Sequence, residues 1–435
     1  MKIVKVIGAG LAGVECAYYL ANHGVKVVLC DIKPDQKTPA HHSSGFAELV
    51  CSNSLKSNDY LANACGLLKQ EMRLLGSLTI AVADQTRVPA GNALAVNRED
   101  FSSIITKKIL EHENIEFVSG EVTEISEDEI TVIATGPLTT SALSKAIARI
   151  TGDDGLFFFD AASPIVSVDS IDFDYAFYGD RYGKGGGDHI NCPMDKETYE
   201  KLVYELIHAE KAPQKDFENS AVFEGCMPVE VMAERGIDTL RFGTLKPVGL
   251  YDPRTDKRGY ATLQLRREDS EGKMFNLIGF QTNLKFGEQK RVFSIIPALK
   301  NAEFLRYGVM HKNTFINAPK ILNADFSVKG KKGIYFAGQI TGVEGYVESA
   351  ASGLLVGINV KRLIDGKPPV KLDKKTVLGS LAIFIATPNE NFQPMNANYG
   401  IMEILPQVTR DKAVKKQLIA ERSLKIITEI KENLD

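Results

Sequence analysis

The opening stretch, Met1 to Asp31, constrains the fold more than any other. Ile3-Val4-Lys5-Val6-Ile7 is a short apolar run with β-branched members, the pattern of a buried parallel strand. It runs into Gly8-Ala9-Gly10-Leu11-Ala12-Gly13. Leu11, Val14, Tyr18 and Ala21 then recur at helical spacing, so a helix opens at the second glycine. Gly24 ends the helix, the run from Val25 to Cys30 is a second strand, and Asp31 stands at its carboxyl end. Strand, G-x-G-x-x-G turn, helix, strand and acid fall in the register of a dinucleotide-binding βαβ unit. The first glycine allows the tight turn, the second lets backbone approach a pyrophosphate, and the third lets helix pack on strand. The helix N-terminus offers unpaired N–H groups to the phosphates, and Asp31 is placed to accept from ribose hydroxyls.

A second unit of the same kind lies toward the other end. Gly333-Ile334-Tyr335-Phe336-Ala337 reads as a strand. A glycine-rich turn follows over Gly338-Gln339-Ile340-Thr341-Gly342-Val343-Glu344-Gly345-Tyr346. Val347 to Ile364 is then a helix, with Ala350, Ala351, Gly353 and Gly357 on its close-packed side. A helix N-terminus aimed at a flavin ring stabilises negative charge on the reduced ring. Between the two units, Ile130-Thr131-Val132-Ile133-Ala134 is a buried strand ending in Thr135-Gly136-Pro137, where such chains pass close to the cofactor again. Grips so far apart in sequence suit FAD better than NAD alone. From about Gly155 the pattern becomes irregular. The expectation is an α/β chain with a Rossmann-like FAD-binding domain built from both ends, residues 1–180 and 325–435. A mixed α/β insertion of roughly 181–324 carries substrate.

Composition limits the rest. The chain has 435 residues, enough for two or three domains. Nothing approaches eighteen unbroken apolar residues, so no membrane span is expected, and the N-terminal strand and glycine loop leave no room for a signal peptide. Six cysteines occur without a C-x-x-C pair. That disfavours a disulfide framework or a metal site, and favours a reducing cytoplasm. The net charge of −3 means that RNA binding would need a local basic patch.

Two cysteines stand out by neighbourhood. Cys51 lies in a Ser/Asn-rich loop ahead of a helix expected over Leu61 to Leu75. Asn53 and Ser54 serve as candidate caps, a setting that lowers a thiol pKa. Cys226 lies in the turn Glu224-Gly225-Cys226-Met227-Pro228. A flavin with accessible thiols allows dehydrogenation of a small molecule or covalent catalysis by thiolate addition to an electron-poor ring. Residue pattern alone leaves both open, and the missing cysteine pair disfavours disulfide reduction.

Longer motifs narrow the choice. Phe46-Ala47-Glu48-Leu49-Val50-Cys51-Ser52-Asn53-Ser54-Leu55, Glu224-Gly225-Cys226-Met227-Pro228, Gly287-Glu288-Gln289-Lys290-Arg291-Val292-Phe293, the turn from Gly338 to Ala351, and Phe392-Gln393-Pro394-Met395-Asn396-Ala397-Asn398 are distinctive. Together they closely resemble the folate- and FAD-dependent RNA uridine 5-methyltransferases, the TrmFO family, across nearly the whole chain. The resemblance implies methylation of uridine at C5, in tRNA at T-loop uridine-54 or, in some relatives, in 23S ribosomal RNA. It implies carbon from 5,10-methylenetetrahydrofolate and electrons from NADPH or NADH through FAD. Cys226 and Cys51 match the family's two functional cysteines. Cys226 is assigned to attack uracil C6 and Cys51 to act as a second thiol, with the roles exchangeable.

Cofactor contacts are expected from Gly8, Ala9, Gly10, Leu11, Ala12, Gly13, Asp31, Thr135, Gly136, Gly338, Gln339, Thr341, Gly342 and Glu348. Many relatives carry His then Trp where this chain has Asn283 and Phe286. The family's imidazole stacks on the folate pterin, and here Phe286 is the aromatic candidate for that place. Lys285, Lys290, Arg291 and Lys300 are candidate phosphate contacts.

Overall fold

The computed structural model describes residues 2–38, 40–153, 156–161, 163–183, 185–212, 227–269, 271–308, 310–390, 392–405 and 411–434, with side chains except at 156–161 and 310–313. The turn holding Cys226 lies outside the described residues.

The first apolar strand, Ile3–Ile7, sits at the centre of a five-stranded sheet with every neighbour parallel. The order is Ile334–Phe336, Ile130–Ile133, Ile3–Ile7, Lys26–Asp31, Ile115–Ser119. Both chain ends therefore build one sheet, as the paired glycine units predict. Strands covered on both faces must be apolar throughout, and Val4, Val6, Leu29, Val132, Ile133, Ile334 and Phe336 are fully buried. The helices that follow the two glycine turns, Leu11–Asn22 and Tyr346–Ile364, pack on one another. They approach closely at Gly353, where a Cβ would stand 2.1 Å from Ala12 O.

A second sheet is antiparallel. Its order is Phe177–Tyr178, Ile190–Met194, Ala261–Arg267, Met274–Leu277, Ile165–Ser167, Phe304–Arg306. It encloses a separate core around Tyr199, Phe275, Phe280 and Phe293. The two sheets are joined by an antiparallel ribbon of Leu156–Ala161 with Met310–Phe315. Against the expected boundaries at 181 and 324, Ile165–Ser167 and Phe177–Tyr178 belong to the second sheet, and the ribbon strand leading back begins at Met310. Strands of two or three residues carry too little alternation to announce themselves in sequence.

The segment after Cys51 also differs from expectation. Ser54–Ser57 is a strand, paired antiparallel with Ala93–Val96, and the helix starts only at Ala64. Asn53 caps no helix because its side chain is committed elsewhere. Its Nδ2 donates to Val96 O (3.1 Å) and Arg267 O (2.9 Å), and its Oδ1 accepts from Arg266 Nε (3.1 Å). Those partners come from the neighbouring strand Ala93–Val96 and from the second sheet, so tertiary contacts override the local capping preference.

Candidate flavin cleft and its thiol

Ligands of an open parallel sheet bind beyond the carboxyl ends of its strands, where the connections diverge. Here one cleft is lined by Gly8 after the first strand, Asp31 after the second, Thr135 and Gly136 after Ile130–Ile133, and Gly338 and Gln339 after Ile334–Phe336. The first turn is shaped by crowding on one side and space on the other. Gly8 has φ +104°, and a Cβ there would lie 2.5 Å from Ala134 O. At Gly13 a Cβ would lie 1.7 Å from Gly8 O. At Gly10, by contrast, nothing beyond the adjoining backbone lies within 4 Å of the Cβ position, and Gly10 lines the cleft. Gly10 is also the N-cap of Leu11–Asn22, with no side-chain cap, so the helix's first N–H groups are left for an anion. This open backbone cradle fits a dinucleotide pyrophosphate.

Asp31 accepts from Ala9 N–H at Oδ2 (2.6 Å) and from Lys33 N–H at Oδ1 (2.9 Å). Each carboxylate oxygen keeps a lone pair for a ribose hydroxyl. Lys33 is buried; its ammonium donates to Gly45 O and lies 4.0 Å from Glu48 Oε2. Burial pushes its pKa down, with Asp31 and Glu48 opposing. Burial, then Lys33, likewise pushes the His41 imidazole down.

Of the fourteen residues expected at the cofactor, nine line the cleft: Gly8, Gly10, Leu11, Ala12, Asp31, Thr135, Gly136, Gly338 and Gln339. The other five support it. Ala9 ties Asp31 through its N–H, and Gly13 seats the helix. Thr341 Oγ1 donates to Gly338 O (2.8 Å), and Gly342 takes the left-handed turn that follows. Glu348 accepts from Lys56 Nζ (3.0 Å) and Ala397 N–H (3.0 Å). Lys33, Glu48, Val50, Thr139, Tyr346 and Ser349 line the cleft without having been expected there. Their order along the chain gives no spacing signal.

Tyr346 links the cleft to the thiol. Its hydroxyl oxygen accepts from Cys51 N–H (2.8 Å) and Ser52 N–H (3.3 Å) and lies 2.9 Å from Cys51 Sγ. Burial, then Cys51, raises its pKa well above the ordinary phenol value. The remaining cysteines with described side chains, Cys16, Cys30, Cys65 and Cys192, are buried, and burial pushes each thiol up.

The second unit's candidates stand differently. Phe286 is 55% exposed and stacks on Tyr307 with centroids 4.9 Å apart; Tyr307 in turn stacks on Phe304. Asn283 N–H donates to Glu230 Oε1 (2.7 Å), and its Nδ2 donates to Ala212 O (3.4 Å). Lys285 is ion-paired with Glu210 (2.5 Å), and Arg291 with Glu205 (2.5 Å) and Glu288 (2.8 Å). Lys290 and Lys300 are exposed. Among the described residues no helix is long and apolar enough to cross a membrane.

Residues 3–368 match the family model described as glucose inhibited division protein A. The chain is 56% identical over 427 residues to the methylenetetrahydrofolate–tRNA-(uracil-5-)-methyltransferase TrmFO of Acetivibrio thermocellus, covering 98% of each. It is 54% identical to the same-named protein of Caldicellulosiruptor bescii, covering 99% of each. Among solved structures, Aquifex aeolicus GidA superposes with a TM-score of 0.72 at 16% identity, covering 99% of this chain and 75% of that one, a likeness of fold. With identity this high over the full length, the chain belongs to the TrmFO family within the wider glucose inhibited division protein A group.

Proposed function

We propose that this protein methylates uridine at C5 in tRNA, with the T-loop uridine favoured. Its carbon comes from 5,10-methylenetetrahydrofolate and its electrons from NADPH or NADH by way of FAD. The carrying observation is the single cleft where both glycine turns, Asp31 and Thr135 converge, with Cys51 bonded to the lining residue Tyr346. When bound, reduced FAD supplies the two electrons that bring a formaldehyde-level carbon to a methyl group.

The chain's own residues do the rest. Uracil C5 is a weak nucleophile until a thiolate adds at C6 and makes an enolate. We assign that addition to Cys226 Sγ. Once C5 has bonded to the folate-derived carbon, Cys51 Sγ takes the C5 proton, and the C5=C6 double bond re-forms as the C6–Sγ bond breaks and releases the first thiolate. The Gly10 cradle and the helix N-terminus behind it hold the pyrophosphate, and Asp31 orients a ribose. The exposed Phe286–Tyr307 stack offers a face for the folate pterin. The target base must leave its stack to reach the sulfur. A protein using these substrates works in the cytoplasm.

Purified, FAD-loaded protein given labelled methylenetetrahydrofolate, NADPH and an unmodified tRNA transcript should form 5-methyluridine, and Cys226→Ala should abolish the product. Mass mapping of tRNA and 23S ribosomal RNA from a deletion strain should show the loss in tRNA. Loss in 23S RNA alone would move the target. Flavin turnover without RNA, indifferent to Cys226→Ala, would replace the proposal with a small-molecule oxidoreductase.

A further inference from the structure

Cys51 lies between the start of the helix Tyr346–Ile364 and the second sheet, and the groups around it are cationic. Arg266, from the strand Ala261–Arg267, donates from Nη2 to Ser52 Oγ (2.5 Å) and from Nε to Asn53 Oδ1 (3.1 Å). Arg98, at the start of the helix Arg98–Leu110, donates from Nη1 to Leu49 O (2.9 Å) and Val50 O (3.4 Å). The loop is thus gripped on both sides of the sulfur. Arg306, from Phe304–Arg306, completes the cluster. Glu268 is the carboxylate facing it, 2.8 Å from Arg98 Nε and 4.0 Å from Arg266 Nη2.

Among the described residues, three guanidinium groups against one carboxylate leave two positive charges in excess, in surroundings that hold little water. Glu268 is buried, and the Arg266 side chain keeps only about 13% of its surface exposed. Among the described residues, Arg98 Nη2 and Arg306 Nε and Nη2 have no hydrogen-bond partner. Buried charge of one sign is costly unless a counter-charge is supplied. Arg266, Arg306 and Tyr346 all lie within electrostatic range of the Cys51 sulfur. Glu48, on the same loop, turns away to accept from His42 and Ser43 N–H.

The hydroxyl of Tyr346 fixes the direction of the remaining hydrogen bond. Its oxygen already accepts from two backbone N–H groups, and its raised pKa keeps it protonated. The phenol proton is therefore directed at Cys51 Sγ, which acts as acceptor.

We propose that Arg98, Arg266 and Arg306, with Tyr346 as donor, hold Cys51 as a thiolate before any substrate arrives. The thiol proton passes to solvent, and the resting sulfur is a base ready to take a proton from carbon. This rests on reading Cys51 as a reacting thiol. The arginines are positioning residues. Their effect replaces the helix N-terminus that the sequence placed after Cys51.

The test is alkylation of the FAD-loaded full chain by iodoacetamide between pH 5 and 10, with Cys51 and Cys226 peptides quantified separately by mass spectrometry. The Cys51 rate should have its midpoint below the value of about 8.5 for an ordinary thiol. Arg266→Met and Tyr346→Phe should each raise the midpoint, and Arg266→Met should lower the rate at pH 7 about tenfold. Arg266→Lys should keep most of the charge effect. A wild-type midpoint at or above the ordinary value would overturn the proposal, and that profile needs no variant to fold. So would midpoints unchanged in both Arg266→Met and Arg306→Met. Alkylation reads the thiolate alone, so absent methyl transfer with a low Cys51 midpoint would fail the proposed function and leave this inference standing.

Discussion

The two glycine-rich turns look alike in sequence but owe their glycines to different physical causes. In the first, Gly13 sits where a Cβ would stand 1.7 Å from the backbone oxygen of Gly8. A backbone atom pinned between a central strand and a helix has nowhere to go. In the second, Gly342 has φ +86°, and a Cβ there would meet the Phe392 ring at 2.5 Å. The Phe392 ring is buried beside Phe315 and Phe384, but a side chain can still shift where a backbone atom cannot, so left-handed backbone is a large part of the cost. Gly13 is therefore held by enclosure and Gly342 by conformation, and Gly10 belongs to neither class because only open space lies beside it.

This contrast can be broken by substitution, beginning with the largest effect. Gly13→Ala should cost about 3 kcal/mol or more, giving protein that is colourless and melts early; a near-normal Tm would mean the helix can shift off its strand. Gly342→Ala should cost on the order of 1–2 kcal/mol from backbone strain, visible as a lowered Tm with the flavin spectrum kept. A penalty equal to that of Gly13→Ala would erase the distinction between the turns. Gly10→Ala should leave the Tm of the flavin-free protein within about 0.5 kcal/mol of wild type while weakening FAD binding at least tenfold, read by flavin fluorescence titration. Unchanged FAD affinity would place the pyrophosphate elsewhere.

The same contrast explains what was legible in the sequence. The first turn, its helix and Asp31 are local features: a buried parallel strand, glycine spacing and an acid at a strand end are all written within one short segment. The second turn could be read for the same reason. What escaped depends on partners far away in the chain. Asn53 and Ser54 carry the local chemistry of a helix cap, yet Asn53 is claimed by Val96, Arg266 and Arg267, and Ser54–Ser57 extends beside Ala93–Val96. Tyr346 reads as the end of a glycine turn, and only the fold brings its hydroxyl to Cys51. Lys285 and Arg291 resemble phosphate ligands until Glu210 and Glu205 fold against them. Partly exposed pairs of this kind stabilise little, but they occupy the charges an RNA backbone would need.

The central strand Ile3–Ile7 borders Ile130–Ile133, and that strand waits for Ile334–Phe336 to close its other edge. During synthesis, the phosphate cradle therefore leaves the ribosome long before its opposite wall exists. The whole antiparallel unit is made in the interval and has its own core with which to fold first. A nascent chain halted before Gly338 would show half a cleft, so uptake of the flavin is a late event in the life of each molecule. Variants that delay closure of that edge should accumulate as pale, protease-sensitive protein even when every residue touching the cofactor is intact.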